Sequence, residues 1–500
     1  MSEEVSQVSI DSLEAAPSST TSRRALSALL FSERARPEWI RARPNGWWLA
    51  IAAVCLGAFM GQLDASIATL TYPALQAQFH TDLADVEWVS LSYLLTLVAL
   101  LVPVGRLSDA RGRKLMYLYG FVLFTAASAA CGLAPSLLAL VLFRAVQAVG
   151  AALLQANSVA LVTTSAPRGR LRAALGVQAG AQALGLALGP TLGGVIVTGW
   201  GWRWVFFVNV PVGIAALVAG HYLLPRTRTQ ASTDHFDWPG LLWLATATTT
   251  LLLGISGASG LHLPWPIVLA LFAFAAAATV ALARRLARAV SPLIDPALLR
   301  SRRIAAGLVG ALGGYLVLFG PLVLVPVALT RSGTSLSAAG LILTALPAGF
   351  AAAALLAERV LPPAWSDRRR ALAGSAVAAG ALVGMMLVPL TAAGLAPLLA
   401  ALGLGLGVFT PANNALVMAA VPARAAGTAG GLVNMTRALG TALGVALVTL
   451  TLHIAPRSNP ALGDHVAAAL LTVLALGVLV SNLITLGPAP QHTPGRHTEL

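Results

Sequence analysis

Asp64 is the residue on which any chemistry of this chain depends. Of 18 acidic residues it is the only one well inside a long apolar run. The others stand in the polar N-terminal stretch up to Glu38, between apolar runs (Asp82, Asp85, Glu87, Asp464), at their ends (Asp109, Asp234, Asp237, Asp295, Glu358, Asp367), or at Glu499. A charge in a low-dielectric surrounding is costly, and protonation removes it, so a carboxylate there can load and release a proton. Gly57, Met60 and Gly61 share its helix face at spacings of seven, four and three. The plainer reading is an acid near a helix end, since Thr71 follows by seven residues. Arg144 is the matching base within an apolar run, and an arginine keeps its charge at physiological pH. It either takes part in function or caps backbone carbonyls. Further polar side chains sit in apolar runs and are candidates for a substrate cavity: Gln147, Gln155 and Asn157, then Gln178 and Gln182, then Asn413, Asn414, Asn434 and Arg437. Each could equally hydrogen-bond a neighbouring helix. His221, His262, His453 and His465 fall near run ends or between runs, and Cys55 and Cys131 offer no metal spacing.

The elements that must position these residues follow from composition. Hydrophobic residues make up 57% of the chain and charged residues 10%, and the mean hydropathy is +0.80. A water-facing surface needs about a quarter charged residues, so the main solvent is lipid. A helix crosses a bilayer with about 20 apolar residues. Fourteen runs qualify: 47–71, 86–104, 115–134, 136–162, 173–197, 204–224, 238–257, 266–282, 304–329, 336–356, 371–390, 395–419, 427–452 and 466–486. They are too long, and too rich in Ala, Leu and Gly, for barrel strands.

The connections test this count. With the N-terminus inside, the even-numbered connections are cytoplasmic and carry the basic residues: Arg106, Arg111, Arg113 and Lys114 after the second run, then Arg168, Arg170 and Arg172, then Arg226 and Arg228. The second half repeats the pattern at 284–303, at Arg359 with 368–370, and at Arg424. Only Arg203, Arg331 and Arg457 fall outside. A count wrong by one would scramble this asymmetry. The net charge of +14 is therefore a topology signal, and nucleic acid is not a partner. Residues 1–46 read as a disordered cytoplasmic tail without a signal peptide, 47–224 as a six-helix bundle, 225–303 as a linker with two extra spans, 304–487 as a second six-helix bundle, and 488–500 as a tail. Arginine far outnumbers lysine, as in GC-rich genomes, which points to a bacterial cell membrane.

Four motifs then carry a resemblance. The connection after the second run reads Gly105-Arg-Leu-Ser-Asp109-Ala-Arg111-Gly112-Arg113-Lys114. It resembles the signature loop of the major facilitator superfamily, with Ala110 and Ser108 as departures. Asp109 can sit near a helix N-terminus, whose dipole favours anions, while the arginines pair with carboxylates and lipid headgroups. The fifth run places Gly176, Gly185, Gly189, Pro190, Gly193 and Gly194 as in the superfamily's antiporter motif. Small residues at this spacing let two helices touch, and a proline allows a bend. Arg144 with Gln147, Ala148 and Gly150 is similar to the family's intramembrane arginine motif. Leu63-Asp64-Ala-Ser-Ile67 to Leu75 resembles the first-span motif of the fourteen-span drug:proton antiporters, with Ser66 and Thr69 as departures. Trp202-Arg-Trp204 through Asn209-Val-Pro211 and Phe236-Asp237-Trp238 are further marks. The second-half counterpart of the signature loop, from Glu358 to Arg370, is degenerate.

The resemblance implies an all-α integral membrane protein with 14 transmembrane helices, two six-helix bundles plus an inserted pair. It implies proton-coupled export of small amphipathic drugs or antibiotics by a monomer, with no enzyme activity, cofactor or metal. Asp64 and Arg144 would couple the proton. Gly105, Asp109, Arg111, Gly112, Arg113 and Lys114 would form a conformational latch. A nutrient or metabolite transporter, or a non-transporting sensor, keeps the same fold. A membrane enzyme or an ATP-driven pump lacks its motifs here: no His/Cys/carboxylate cluster and no phosphate loop.

Overall fold

A computed structural model describes residues 33, 35–43, 45–227, 236–259, 263–388, 391–454 and 460–485. The segments expected as tails at 1–32 and 488–500, with Arg34, Arg228, Asp234, Arg457 and Arg496, lie outside the described residues. Helices dominate, as the composition demands: a lipid-facing backbone must satisfy its polar groups internally. Among the described residues, thirteen helices are long and apolar enough to cross a membrane, and fourteen if one bent pair is counted as a single span.

The first bundle comprises α1 (Gly46–Ile67), α2 (Leu83–Arg111), α3 (Arg113–Gly132), α4 (Leu137–Ser165), α5 (Leu171–Trp200) and α6 (Arg203–Leu223). The inserted pair is α7 (Trp238–Ser259) and α8 (Trp265–Arg288). The second bundle comprises α9 (Arg302–Arg331), α10 (Ala338–Val360), α11 (Asp367–Leu387), α12 (Ala392–Ala419), α13 (Ala426–Ile454) and α14 (Pro460–Thr485). At 1.5 Å per residue the 22 residues of α1 reach about 33 Å, enough for a bilayer core.

Local chemistry sets the boundaries. α1 tightens into a 3₁₀ turn at Ala68–Thr71 and resumes at Tyr72–Phe79, beyond the expected end at residue 71. Only Leu133 to Ser136 separate α3 from α4, and the Ser136 hydroxyl accepts from Ala139 N to start α4. Ser366 caps α11 in the same way. A single residue, Gly112, joins α2 to α3 at φ 108°, a conformation side chains rarely adopt. α5 bends by 43° between Leu171–Gly189 and Thr191–Trp200, at Pro190, which donates no backbone hydrogen bond.

Each bundle has its own core. Ile51, Met60, Leu101, Tyr117, Phe121 and Leu154 belong to the first, and Leu316, Phe350, Leu382, Leu399, Phe409 and Leu471 to the second. The Gly-rich fifth helix of each bundle crosses over. Ala179 and Ala183 of α5 join the second core, while Ala426 and Ala429 of α13 join the first. The inserted pair is seated at the junction, where Leu244, Leu282 and Leu286 meet Val102 of α2 and Leu432 and Val433 of α13. Asp237 fixes its polar end. It accepts from Gly240 N (3.0 Å), Arg285 Nε (3.0 Å) and Leu293 N (3.2 Å), drawing the start of α7, the end of α8 and the following loop together.

The expectation of a disordered tail through residue 46 does not hold at its inner end. Residues Glu38–Arg41 are helical, Ile40 is buried, and the Glu33 carboxylate accepts from Thr227 Oγ1 (2.9 Å) and from Leu115 N (3.4 Å). The first turn of α3 leaves backbone donors unpaired, and Glu33 answers one of them.

Candidate functional site

Asp64 is completely buried on α1 and lies within a closed polar network. Arg144 Nη1 donates to Asp64 Oδ2 at 2.7 Å. Asp64 Oδ1 accepts from Gln147 Nε2 (3.0 Å) and from Asn209 Nδ2 (2.9 Å). Gln147 Nε2 also reaches Ser128 Oγ at 2.7 Å, and its Oε1 takes a second bond from Arg144 Nη1 at 2.6 Å. Arg144 Nε donates to the Val89 carbonyl (3.2 Å), and its guanidinium stacks over Tyr93, 4.2 Å from the ring centroid. Four helices of the first bundle and α2's carbonyl thus hold one ion pair. Both oxygens of Asp64 are occupied, away from water. A buried pair is tolerated only with this degree of satisfaction.

A cavity of about 230 Å³ lies between the bundles on the far side of Arg144. Its polar lining includes Gln62, Ser66, Gln155, Gln182, Asn434 and Arg437, and its aromatic lining is Tyr93, Tyr315 and Phe319. Of the expected cavity residues, Gln155, Gln182, Asn434 and Arg437 are there, and Arg144, expected only as a proton-coupling residue, joins them. Gln147 is not, because it is spent on Asp64 and Arg144. Gln178 instead donates to Ser158 Oγ (3.0 Å), and Asn413 donates to the Gly307 carbonyl (2.9 Å), each holding neighbouring helices together. Asn414 is buried in α12 outside the lining, so α12 contributes no wall, whereas α2 and α9 do. Tyr315 and Phe319 lay in an apolar run with nothing to distinguish them. Asn209 was marked by its motif but not as a partner of Asp64, and Ser128 had no signal.

The floor of the cavity is sealed toward the end that carries the basic loops. Asn434 donates to the Gln155 carbonyl (2.8 Å), and Gly430 packs directly on the Ala156 carbonyl. Beyond that seal, Asp109 reaches the N-terminus of α13, in the other bundle. It accepts from Gly427 N, Thr428 N and Thr428 Oγ1, each at 2.8 Å. The unpaired N–H groups and dipole of a helix start favour such an anion. Arg113 bonds Asp109 Oδ1 (2.8 Å) and spans to the Ala423 carbonyl. Gly105 faces the Gly427 carbonyl with no room for a side chain. Lys114 turns to the end of α6, donating to the carbonyls of His221 and Leu224 at 2.8 Å each, and Arg111 is exposed. These two expected latch residues therefore stand apart from the contact that Asp109 and Arg113 make.

The degenerate second-half loop builds the mirror image. Glu358 at the end of α10 and Asp367 at the start of α11 both pair with Arg172 at the start of α5, the latter at 2.8 Å. Arg370 joins Glu358 at 3.1 Å. Each bundle thus grips the first turn of the other's fifth helix. The glycines of α5 serve both surfaces. Gly176 abuts the Ala354 carbonyl of α10, while Gly185, Gly189 and Gly193 meet Phe59, Ser66 and Leu70 on α1. A side chain added at Gly194, the last glycine of the motif, would meet no other helix within 4 Å, so that position is not one the helix contact requires to be glycine.

This arrangement agrees with what the chain matches. The sequence model of the Major Facilitator Superfamily fits residues 54–445. The chain belongs to the major facilitator superfamily. Superfamily members are transporters, so a small-molecule substrate is implied and catalysis is not. The chain is 32% identical over 474 residues to the tetracenomycin C resistance and export protein of Streptomyces glaucescens, covering 92% of this chain and 85% of that one. It is 31% identical over 410 residues to the riboflavin transporter RibZ of Clostridioides difficile, covering 80% and 87%. Among solved structures, the human organic anion transporter MFSD10 superposes with a TM-score of 0.64 over 88% of this chain and 100% of that one. At 15% identity that likeness shows the fold alone.

Proposed function

We propose that this superfamily member is a proton-driven antiporter that exports small amphipathic molecules of the drug or antibiotic kind across the cell membrane. The observation that carries the reading is the buried Asp64–Arg144 pair, whose arginine also lines the inter-bundle cavity. A proton taken up by Asp64 removes the countercharge of Arg144, which cannot lose its own charge. The change is therefore felt at the cavity wall. The export function of the Streptomyces glaucescens relative supports the direction of transport. The antiporter glycines, packed on α1 directly beside Asp64, support the exchange mode.

The basic end is the cytoplasmic end in this reading, by the excess of arginine in its loops. With both latches closed there, this reading has substrate leave and the proton enter from the opposite end. The proton gradient is the energy source and no cofactor takes part. The working unit is a monomer, since each bundle finds its counterpart within the chain. Purified protein in proteoliposomes tests this: an acid outside should drive uptake of protons in exchange for an entrapped amphipathic dye. Dye efflux indifferent to the gradient would contradict it. The riboflavin transporter relative favours a second reading, carriage of a metabolite by the same machinery. The same liposomes loaded with riboflavin distinguish the two.

A further inference from the structure

Two arginines line the cavity, and among the described residues only one has a carboxylate. Arg144 is matched by Asp64. Arg437, on α13, is 4% exposed, and its guanidinium is held by Asn434 Oδ1 at 3.2 Å and by the face of Tyr315, 5.1 Å from the ring centroid. Its Nε is buried with no hydrogen-bond partner. No aspartate or glutamate stands among the lining residues. A buried charge is normally paired, because leaving water without compensation is expensive. Around Arg437 the side chains are a second aromatic ring, Phe319, stacked with Tyr315 at 6.1 Å between centroids, and the amide of Gln182 beside the Tyr315 hydroxyl at 3.5 Å. The position thus offers a fixed cation next to a flat aromatic wall.

We propose that Arg437 is the countercharge for an acidic group on the substrate, so that the cavity takes aromatic amphipathic monoanions such as carboxylates or acidic phenols. The inference rests on the transporter reading above and names its substrate class. The planar fork of arginine suits a carboxylate, and the Tyr315–Phe319 pair suits the ring that carries it. Charge has a consequence for coupling. Protonating Asp64 adds positive charge to the cavity wall and attracts an anion, so the competition that exchange requires is conformational and not coulombic. Export of a monoanion against one incoming proton moves two positive charges inward per cycle. A neutral molecule moves one and a monocation none, so the membrane potential drives the three differently.

The test uses the full-length protein in proteoliposomes with three probes on one aromatic core: coumarin-3-carboxylate, its neutral carboxamide, and its aminoethyl amide as the cation. Wild-type protein should bind and exchange the carboxylate best, with twice the carboxamide's charge movement per molecule. Arg437→Gln should weaken carboxylate binding by about tenfold to a hundredfold, the range for a hydrogen bond to a charged group, and weaken carboxamide binding far less. Arg437→Lys, which keeps the charge and loses the fork, should fall between. Preference for the carboxamide or the amine, with the carboxylate excluded, overturns this inference and leaves the exporter standing. Equal loss of all three probes in both variants makes Arg437 structural and also overturns it. Proton-coupled movement of none of them by wild-type protein overturns the exporter reading as well. The wild-type comparison decides even if neither variant folds.

Discussion

At the scale of single residues, the ion pair between Asp64 and Arg144 sets both stability and coupling. Breaking a buried pair from one side costs about 3–5 kcal/mol, because the surviving charge is stranded. Asp64→Asn keeps a side chain that can hydrogen-bond but strands Arg144. It should therefore lower the melting temperature of purified protein, while Asp64→Asn with Arg144→Gln should recover part of that loss. A purely additive double mutant would contradict the pairing. Arg144→Lys keeps the charge but cannot reach Val89, Asp64 and Gln147 together. Transport by that variant should be strongly reduced, and wild-type rates would argue against a geometric role. Asp64 and Arg144 were legible in the sequence because a charge inside a long apolar run is costly and calls for a partner. Asn413 and Gln178 carried the same signal for a different reason: an amide between helices is as polar when it bonds Gly307 or Ser158 as when it faces a cavity. The aromatic wall was illegible, since Tyr315 and Phe319 look like any residues of an apolar helix.

At the scale of helices, α5 is the element on which the most depends. One face lies on α1 around Asp64 and another on α10 of the second bundle. A side chain at Gly185 would meet the Phe59 carbonyl at 2.5 Å and Leu63 N at 3.1 Å, backbone atoms that cannot move aside. Gly185→Ala should therefore displace α1 from α5 and abolish transport, whereas Gly194→Ala, facing open space, should transport normally. Accumulation of the two variants in membranes and their efflux rates check this, and equal behaviour would remove the packing argument. The fourteen runs were readable because span length and loop charge are independent signals that agree. The 3₁₀ turn after Ile67 was not, whereas Pro190 marked the place where α5 bends by 43°. The motif could not reveal that the helix contact does not require a glycine at Gly194, because spacing alone does not say which neighbour a glycine meets.

At the scale of the whole molecule, the two bundles close on one another through matched contacts: Asp109 and Arg113 on the start of α13, Glu358 and Asp367 on the start of α5. The first was expected from the signature loop. The second was hidden because its spelling is degenerate while its geometry is kept: two carboxylates and one arginine suffice, in any order that brings them to the helix start. Each contact biases the equilibrium between facing states, and losing charge-assisted bonds should shift it by about tenfold or more. With Cys55 and Cys131 replaced by serine and a reporter cysteine at Ala160, which lies against Gly430 of α13, both Asp109→Ala and Glu358→Ala should raise labelling by a polar thiol reagent. Unchanged labelling in both would mean that the latches do not hold this state. The central claim, that Asp64 carries the proton exchanged for substrate, is tested most directly by substrate-driven proton movement in proteoliposomes containing wild-type or Asp64→Asn protein in equal amounts. The account predicts proton movement with wild-type protein and none with the variant, although the variant still binds substrate. Full substrate-driven proton movement by Asp64→Asn would contradict it.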